Sequence, residues 1–301
     1  MSKLTLDGLT TLESRRISVV GGESVEQARE RIDDTLRAFV ETTTTHQALK
    51  NYIRTAHDIL LSKNAKRVRS IFPVLIAEEC GLDLQECTHY GISIEFLHYA
   101  SLIHDDVIDE DHERRGIKTL NARFPNSHAV LIGDYMTSVV IEFALEFEHS
   151  DKVIRAIVDT SKSLVTGLVI EQTVMPTQAS RETYLEMAAL KTGSLFELAT
   201  GLPFINHQNF EKAREFGRIF GILFQVYDDY TDRTTDDRYY NIFHILEEEE
   251  ISQLWEEYYQ RLLYLAKEVG VENVLSVMIK YLQSKGYFQD TLSSGITLFK
   301  V

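Results

Sequence analysis

Two stretches of this chain repeat one carboxylate pattern, Asp-Asp-x-x-Asp: Asp105-Asp106-Val107-Ile108-Asp109 and Asp228-Asp229-Tyr230-Thr231-Asp232. Residues four apart share a helix face, so Asp105 lies with Asp109 and Asp228 with Asp232. Like charges at that spacing destabilise a bare helix. Each motif also closes a long apolar run, where the helix dipole is negative and disfavours more acid. Carboxylates in so unfavourable a place imply a bound cation. Hard, oxygen-seeking Mg2+ is the leading candidate, because it takes one or two carboxylates and completes its shell with water and phosphate oxygens. One copy of the pattern would be an ordinary solvated helix end. Two copies with apolar flanks point to a metal site that handles phosphate.

Helices must position these motifs. Only 4 prolines and 15 glycines punctuate 301 residues, which leaves room for long helices. Helical periodicity recurs along the chain, and no alternating strand pattern bounded by turn residues is evident. The pattern predicts helices over residues 24–40, 47–62, 66–80, 84–110, 127–148, 151–174, 181–200, 207–232, 246–269 and 271–285. Residues 1–23 read as a loose arm, Thr42 to Thr45 as a polar break, and residues 24–301 as one all-α domain with no Pro-, Gly- or Ser-rich linker to divide it.

Composition narrows the class of function. A hydrophobic content of 44% supports a sizeable core, and 26% charged residues is ordinary for a soluble protein. The net charge of −15 argues against nucleic acid or an anionic membrane as a partner held by bulk charge. A phosphorylated substrate is compatible with it, because metal ions and a few Arg or Lys invert the sign locally. Cys80 and Cys87 form neither a zinc pattern nor a disulfide framework, which fits a reducing, cytoplasmic setting. No signal segment opens the chain, and no apolar run approaches the roughly 18 residues of a transmembrane segment.

A family resemblance runs from about Lys66 to Asp232. It is carried by Lys66-Arg67-Val68-Arg69, by His98, by the first aspartate motif with Arg114-Arg115-Gly116, and by Gly133-Asp134-Tyr135. It continues through Lys191-Thr192-Gly193-Ser194-Leu195-Phe196 and Phe224-Gln225 into the second motif. On these ordered matches the chain resembles the all-trans polyprenyl diphosphate synthases, of the isoprenoid synthase fold and of medium- or long-chain type.

That resemblance implies a large helical bundle around a central cavity, usually a homodimer. It implies a Mg2+-dependent prenyltransferase that condenses an allylic diphosphate, farnesyl or geranylgeranyl in class, with isopentenyl diphosphate to give a longer polyprenyl diphosphate. Three Mg2+ ions would clamp the allylic diphosphate between Asp105, Asp106, Asp109 and Asp228, Asp229, Asp232. An apolar cavity would shield the allylic cation from water, and the released diphosphate would take the proton. Lys66, Arg69, His98 and Arg115 match the isopentenyl diphosphate site, with Lys66 and Arg69 read as sharing one helical face. Arg suits such a site because it forks onto phosphate oxygens. Arg114 would meet the allylic diphosphate or else pair with the acids beside it. Lys191, Thr192 and Gln225 would touch the allylic diphosphate and steady the cation.

Ala100 and Ser101, about one turn below the first motif, would set the product length. Both are small, as in the longer-chain members, and Phe or Tyr at Ala100 would shorten the product. Tyr99, Met136, Val139 or Val140 would supply a floor.

The chain also departs from the family pattern. After the second motif it reads Arg233-Thr234-Thr235-Asp236-Asp237-Arg238, where a Lys and a Gly-Lys-Thr-Leu-Pro-like loop are usual. Arg233 or Arg238 would replace the missing cation. Ala65 and Ser70 stand where Gly and Pro are common, and the Gly-Gln pair expected near Gly167 is blurred, with Gln172 falling later. Three rival readings share some features: a class I terpene cyclase, a transferase to a non-isopentenyl acceptor, and a non-catalytic partner subunit. Cyclases usually carry Ser or Thr, then Glu, where Asp232 and Asp236 stand here. Two complete motifs argue against a non-catalytic subunit.

Overall fold

The computed structural model describes residues 24–42, 46–233 and 240–288. The expected arm over 1–23, most of the break at 43–45, loop residues 234–239 with Arg238 and Tyr239, and residues 289–301 lie outside the described residues. The described chain is helical apart from one short hairpin. It separates into two compact units, Met1–Glu78 with Asp83–Arg155, and Glu79–Leu82 with Ala156–Val301.

The first unit contains α1 (Val25–Thr42), α2 (Lys50–Leu60), α3 (Phe72–Cys80), α4 (Leu84–Ile108), a hairpin of β1 (Glu113–Arg114) and β2 (Ile117–Lys118), α5 (Leu120–Arg123) and α6 (Asn126–Ala144). The Asp83 side chain caps α4 by accepting from the Glu86 amide at 2.7 Å. From Cys87 to Leu97 every residue of α4 is buried, so this is a core helix, apolar nearly all round. Phe39 of α1 sets its ring edge-on to Phe96 of α4 and Phe143 of α6, with centroids 5.0 and 4.8 Å apart.

Two sequence expectations need correction here. Helix α3 starts at Phe72 rather than at residue 66. Pro73 fits only the first turn of a helix, and Arg67 has φ +56°, in the left-handed region. Residues 66–71 are therefore turns, and Lys66 and Arg69 do not share a helical face. The expectation of no strands also misses the hairpin. Only Arg115 and Gly116 turn the chain between Arg114 and Ile117, with φ +57° and +80°. Two consecutive left-handed residues are what a tight two-residue hairpin loop requires.

Two histidines are sunk in this unit's core. Burial lowers His57 and His89 to a pKa of about 4 each, against smaller opposing effects of Asp58 and Asp83. Because the folded state holds them neutral, their contribution to stability is complete above pH 6.5 and is lost as pH falls towards 4. Urea-unfolding midpoints are expected to drop over that window, by roughly 2–3 kcal/mol per histidine. Phe in place of either histidine should flatten the drop, and an unchanged pH profile would contradict the account.

The second unit holds α7 (Ser150–Thr173, whose first residues belong to the other unit), α8 (Arg181–Ala188), α9 (Ser194–Gly201), α10 (Phe210–Asp232), α11 (Ile242–Ile245), α12 (Glu248–Val269) and α13 (Glu272–Ser284). The helix expected over 181–200 is interrupted by a π-turn, Ala189–Gly193, an element often found at functional sites. Helices α9 and α10 pack backbone to backbone. A Cβ on Gly217 would lie 2.3 Å from the Phe196 carbonyl oxygen and 2.2 Å from Thr200 Oγ1. Gly217→Ala is accordingly expected to destabilise by about 2–3 kcal/mol despite alanine's better helix propensity, read as a shift in the urea midpoint.

Candidate active site

Past Leu97, α4 changes character. His98, Ser101, Leu102 and Asp105 form a half-buried stripe with helical spacing, while Tyr99, Ala100, Ile103 and Asp106 face the core. Asp109, the C-cap, is exposed. The first motif is thus divided. Asp105 and Asp109 lie on the open side, and Asp106 is only 3% exposed. Arg114 donates from Nε to Asp106 Oδ1, and from Nη2 to Asp111 Oδ2 at 3.3 Å. Asn121 Nδ2 donates to the carbonyls of Asp106 and Asp111, each at 2.8 Å. Burial pushes the Asp106 carboxyl up to about 6, with Arg114 opposing. Arg114 therefore pairs with the acids beside it.

Two turns earlier on the same stripe lies a basic cluster. Arg69 Nη1 is 3.5 Å from His98 Nε2. Burial, then the positive charge of Arg69, holds His98 well below the usual imidazole range. Arg115 Nη2 stands 3.6 Å from Glu95 Oε1, and its buried Nη1 has no hydrogen-bond partner among the described residues. Lys66 is exposed. Beneath them Arg67 is buried, donating to Asp33 at 2.9 Å, to Glu95 at 2.5 Å and to the Leu60 carbonyl at 2.7 Å.

The residues named for product length behave differently from one another. Ala100, Tyr99, Met136 and Val140 are each 1% exposed, and Val139 is 4% exposed. Ser101 is half-buried, its hydroxyl donating to the His98 carbonyl at 2.8 Å.

In the second unit the other motif is divided in the same way. Along α10, Gln225 and Asp228 are half-buried and Asp232 is exposed, whereas Asp229 is 7% exposed. Asp229 Oδ1 accepts from Gln225 Nε2 at 2.8 Å, and Oδ2 accepts from the Ile242 amide at 3.0 Å. Its carbonyl accepts from Asn241 Nδ2 at 2.9 Å, so Asp229 ties the start of α11 to α10. Thr192, on the π-turn, donates its hydroxyl to Gln225 Oε1 at 2.5 Å. Lys191, beside it, is ion-paired with Glu171 of α7. Arg233 lies over the Tyr230 ring, 3.8 Å from its centroid, and donates to that residue's carbonyl.

A model of the polyprenyl synthetase family matches residues 50–241, a span that includes both aspartate motifs. The chain belongs to the polyprenyl synthetase family. Among curated relatives, the octaprenyl diphosphate synthase of Haemophilus influenzae is 33% identical over 58% of this chain and 54% of its own. The geranylgeranyl pyrophosphate synthase of Geoglobus acetivorans is 29% identical over 72% of this chain and 68% of its own. The chain thus spans little more than half the length of the first of these relatives. Among solved structures, a geranyltransferase from Legionella pneumophila superposes with TM-score 0.76 at 20% identity, over 87% of this chain and 96% of that one. An isoprenoid synthase family member from Thermotoga neapolitana gives 0.71 at 22%, over 86% and 98%. These superpositions show the isoprenoid synthase fold.

Membership in this family raises the question of a metal. Among the described residues no group of three or more His, Cys, Asp or Glu side chains is arranged to enclose an ion. What the motifs do offer is pairs of carboxylates on an open helix face, Asp105 with Asp109 and Asp228 with Asp232. That donor set fits Mg2+, which takes one or two carboxylates and leaves the other positions to water and phosphate.

Sequence reasoning passed over three groups. Glu95 sits in the apolar run Ile94-Glu95-Phe96, and a lone acid there signals a buried cation partner. Glu171 neutralises Lys191 and adjoins Gln172, the residue that attracted notice. Asn121 and Asn241 hold the second aspartate of each motif by its carbonyl, which no spacing rule foretells.

Proposed function

We propose that the protein is a trans-prenyltransferase that condenses an allylic diphosphate of farnesyl or geranylgeranyl class with isopentenyl diphosphate, giving a longer all-trans polyprenyl diphosphate. One observation carries this reading. The basic cluster at His98 and the acidic pair at Asp105 and Asp109 lie along one open stripe of α4, about 10 Å apart along the helix axis. Condensation needs two diphosphates held that close, one by bare cations and one by a metal-carboxylate site. A cyclase has no use for the first.

Lys66, Arg69, His98 and Arg115 would bind the acceptor diphosphate, Arg115 through the buried Nη1 that has no protein partner among the described residues. Asp105, Asp109, Asp228 and Asp232 would hold Mg2+, and the ions when bound neutralise the departing diphosphate. Asp106 and Asp229 would orient the ligands beside them, each being fixed by protein donors. Thr192 spends its proton on Gln225, so its oxygen lone pairs are left to face positive charge at the reacting carbon. Lys191 would leave Glu171 for the allylic diphosphate. Ion count, a homodimeric state and a cytoplasmic setting belong to this proposal, supported by the resemblance. For the described residues, no helix is long and apolar enough to cross a membrane.

Incubation with Mg2+ and farnesyl or geranylgeranyl diphosphate, with and without isopentenyl diphosphate, tests the reading. Longer diphosphates formed only with isopentenyl diphosphate are expected. Cyclic hydrocarbon formed without it, or no turnover at all, would overturn the proposal.

A further inference from the structure

We propose that Glu95 is the positioning residue of the acceptor-diphosphate cluster, one carboxylate that fixes both arginine-bearing turns; this rests on the assignment of that cluster above. Both turns have unusual backbones. Arg67 and Arg115 adopt φ +56° and +57°, a region that costs a non-glycine residue energy unless its surroundings hold it there. The two side chains converge on the same atom. Arg67 Nη1 is 2.5 Å from Glu95 Oε1, and Arg115 Nη2 is 3.6 Å from it.

The other oxygen, Oε2, accepts from Ser70 Oγ at 2.9 Å. The same hydroxyl lies 3.2 Å from the Arg67 carbonyl oxygen, so its one proton is shared between that carbonyl and Glu95 and links the 67–70 turn to the carboxylate. Ser70 replaces the proline common at this position, and proline has no such donor. Glu95 is 1% exposed, and its charge is held by Arg67 and Arg115 against the cost of burial.

Glu95 lies one helical turn before His98 on α4, below the groups that would touch the ligand. Arg69 stands between Arg67 and Ser70 in the tied turn. Arg115 is held by its side chain at Glu95 and by its carbonyl, which accepts from Asn64 Nδ2 at 3.0 Å. Loosening the carboxylate therefore frees Arg69 and Arg115 together while leaving Asp105 and Asp109 untouched. The mark of this role is a selective loss of acceptor affinity.

The test compares wild type with Ser70→Ala, Glu95→Gln and Glu95→Asp in the full chain. It reads the KM for each substrate, kcat, thermal melts, and calorimetric binding of isopentenyl diphosphate without metal. Ser70→Ala is expected to raise the acceptor KM and Kd about fivefold and Glu95→Gln about tenfold or more, with the allylic KM within twofold. Glu95→Asp should recover part of the loss. Should Glu95→Gln fail to fold, Ser70→Ala decides, since it keeps the buried ion pair. Variants that leave acceptor affinity unchanged, or that shift both KM values equally, overturn the assignment of Glu95 alone. A wild type that neither binds nor consumes isopentenyl diphosphate overturns the functional reading and this inference with it.

Discussion

Asp105→Ala is expected to lower kcat by about 10³-fold or more with a smaller loss of thermal stability than Asp106→Ala. The reason lies in how each motif is divided. Asp105 is half-buried on the open stripe of α4, so truncation opens no core cavity and relieves repulsion with Asp109 one turn on. Asp228→Ala should behave alike, for the same reason on α10. The second aspartates should not. Asp106→Ala removes the acceptor of Arg114 Nε and leaves that side chain only Asp111, and Asp229→Ala removes the acceptor of Gln225 Nε2 and of the Ile242 amide. Each of those variants should also lose about 2–3 kcal/mol of stability, because a buried charge-assisted partner is removed. Steady-state rates and melting curves of the four variants check the division. An Asp105→Ala protein that keeps wild-type turnover would contradict the metal assignment, and one that loses as much stability as Asp106→Ala would contradict the division.

Ser101→Phe is expected to move the product distribution to shorter chains by one or more isoprene units, seen by chromatography of dephosphorylated extracts. Ser101 is half-buried on the stripe that carries Asp105, so on the proposed assignment of that stripe an aromatic ring there would enter the space beside the reacting end of the substrate. Ala100, the other position named for product length, differs in its surroundings. It is 1% exposed and surrounded by packed core, so Ala100→Phe forces neighbouring side chains off their rotamers at a cost of about 1–3 kcal/mol. Its effect on product length should therefore come with a lower melting temperature, whereas Ser101→Phe should melt like wild type. Unchanged products from Ser101→Phe would show that the growing chain does not pass this face.

The long helices were readable because their apolar spacing is strong over several turns, and α4, α6, α7, α10, α12 and α13 fall close to the expected limits. The acidic motifs were readable for a different reason, since the i, i+4 repeat places two carboxylates on one face whatever the tertiary fold. Three features were not. The 66–71 segment carries helix-compatible residues, and besides Pro73 a left-handed Arg67 held by Asp33, Glu95 and the Leu60 carbonyl stops the helix. Those partners lie 7 to 34 residues away in sequence, beyond the reach of local patterning. The 113–118 hairpin has strands too short for alternation to register. The burial of Asp106 and Asp229 is also invisible locally, because it depends on Arg114, Asn121 and Asn241 arriving from elements beyond each motif.

The central proposal is that the open aspartates of each motif bind diphosphate through Mg2+. Calorimetric titration of inorganic pyrophosphate, with and without Mg2+, into wild type, Asp105→Asn, Asp228→Asn and the double variant tests it most directly. The account predicts binding that requires Mg2+, and a loss of about tenfold or more in each single variant and in the double variant. Tight binding without Mg2+, or single variants that bind pyrophosphate like wild type, would contradict it.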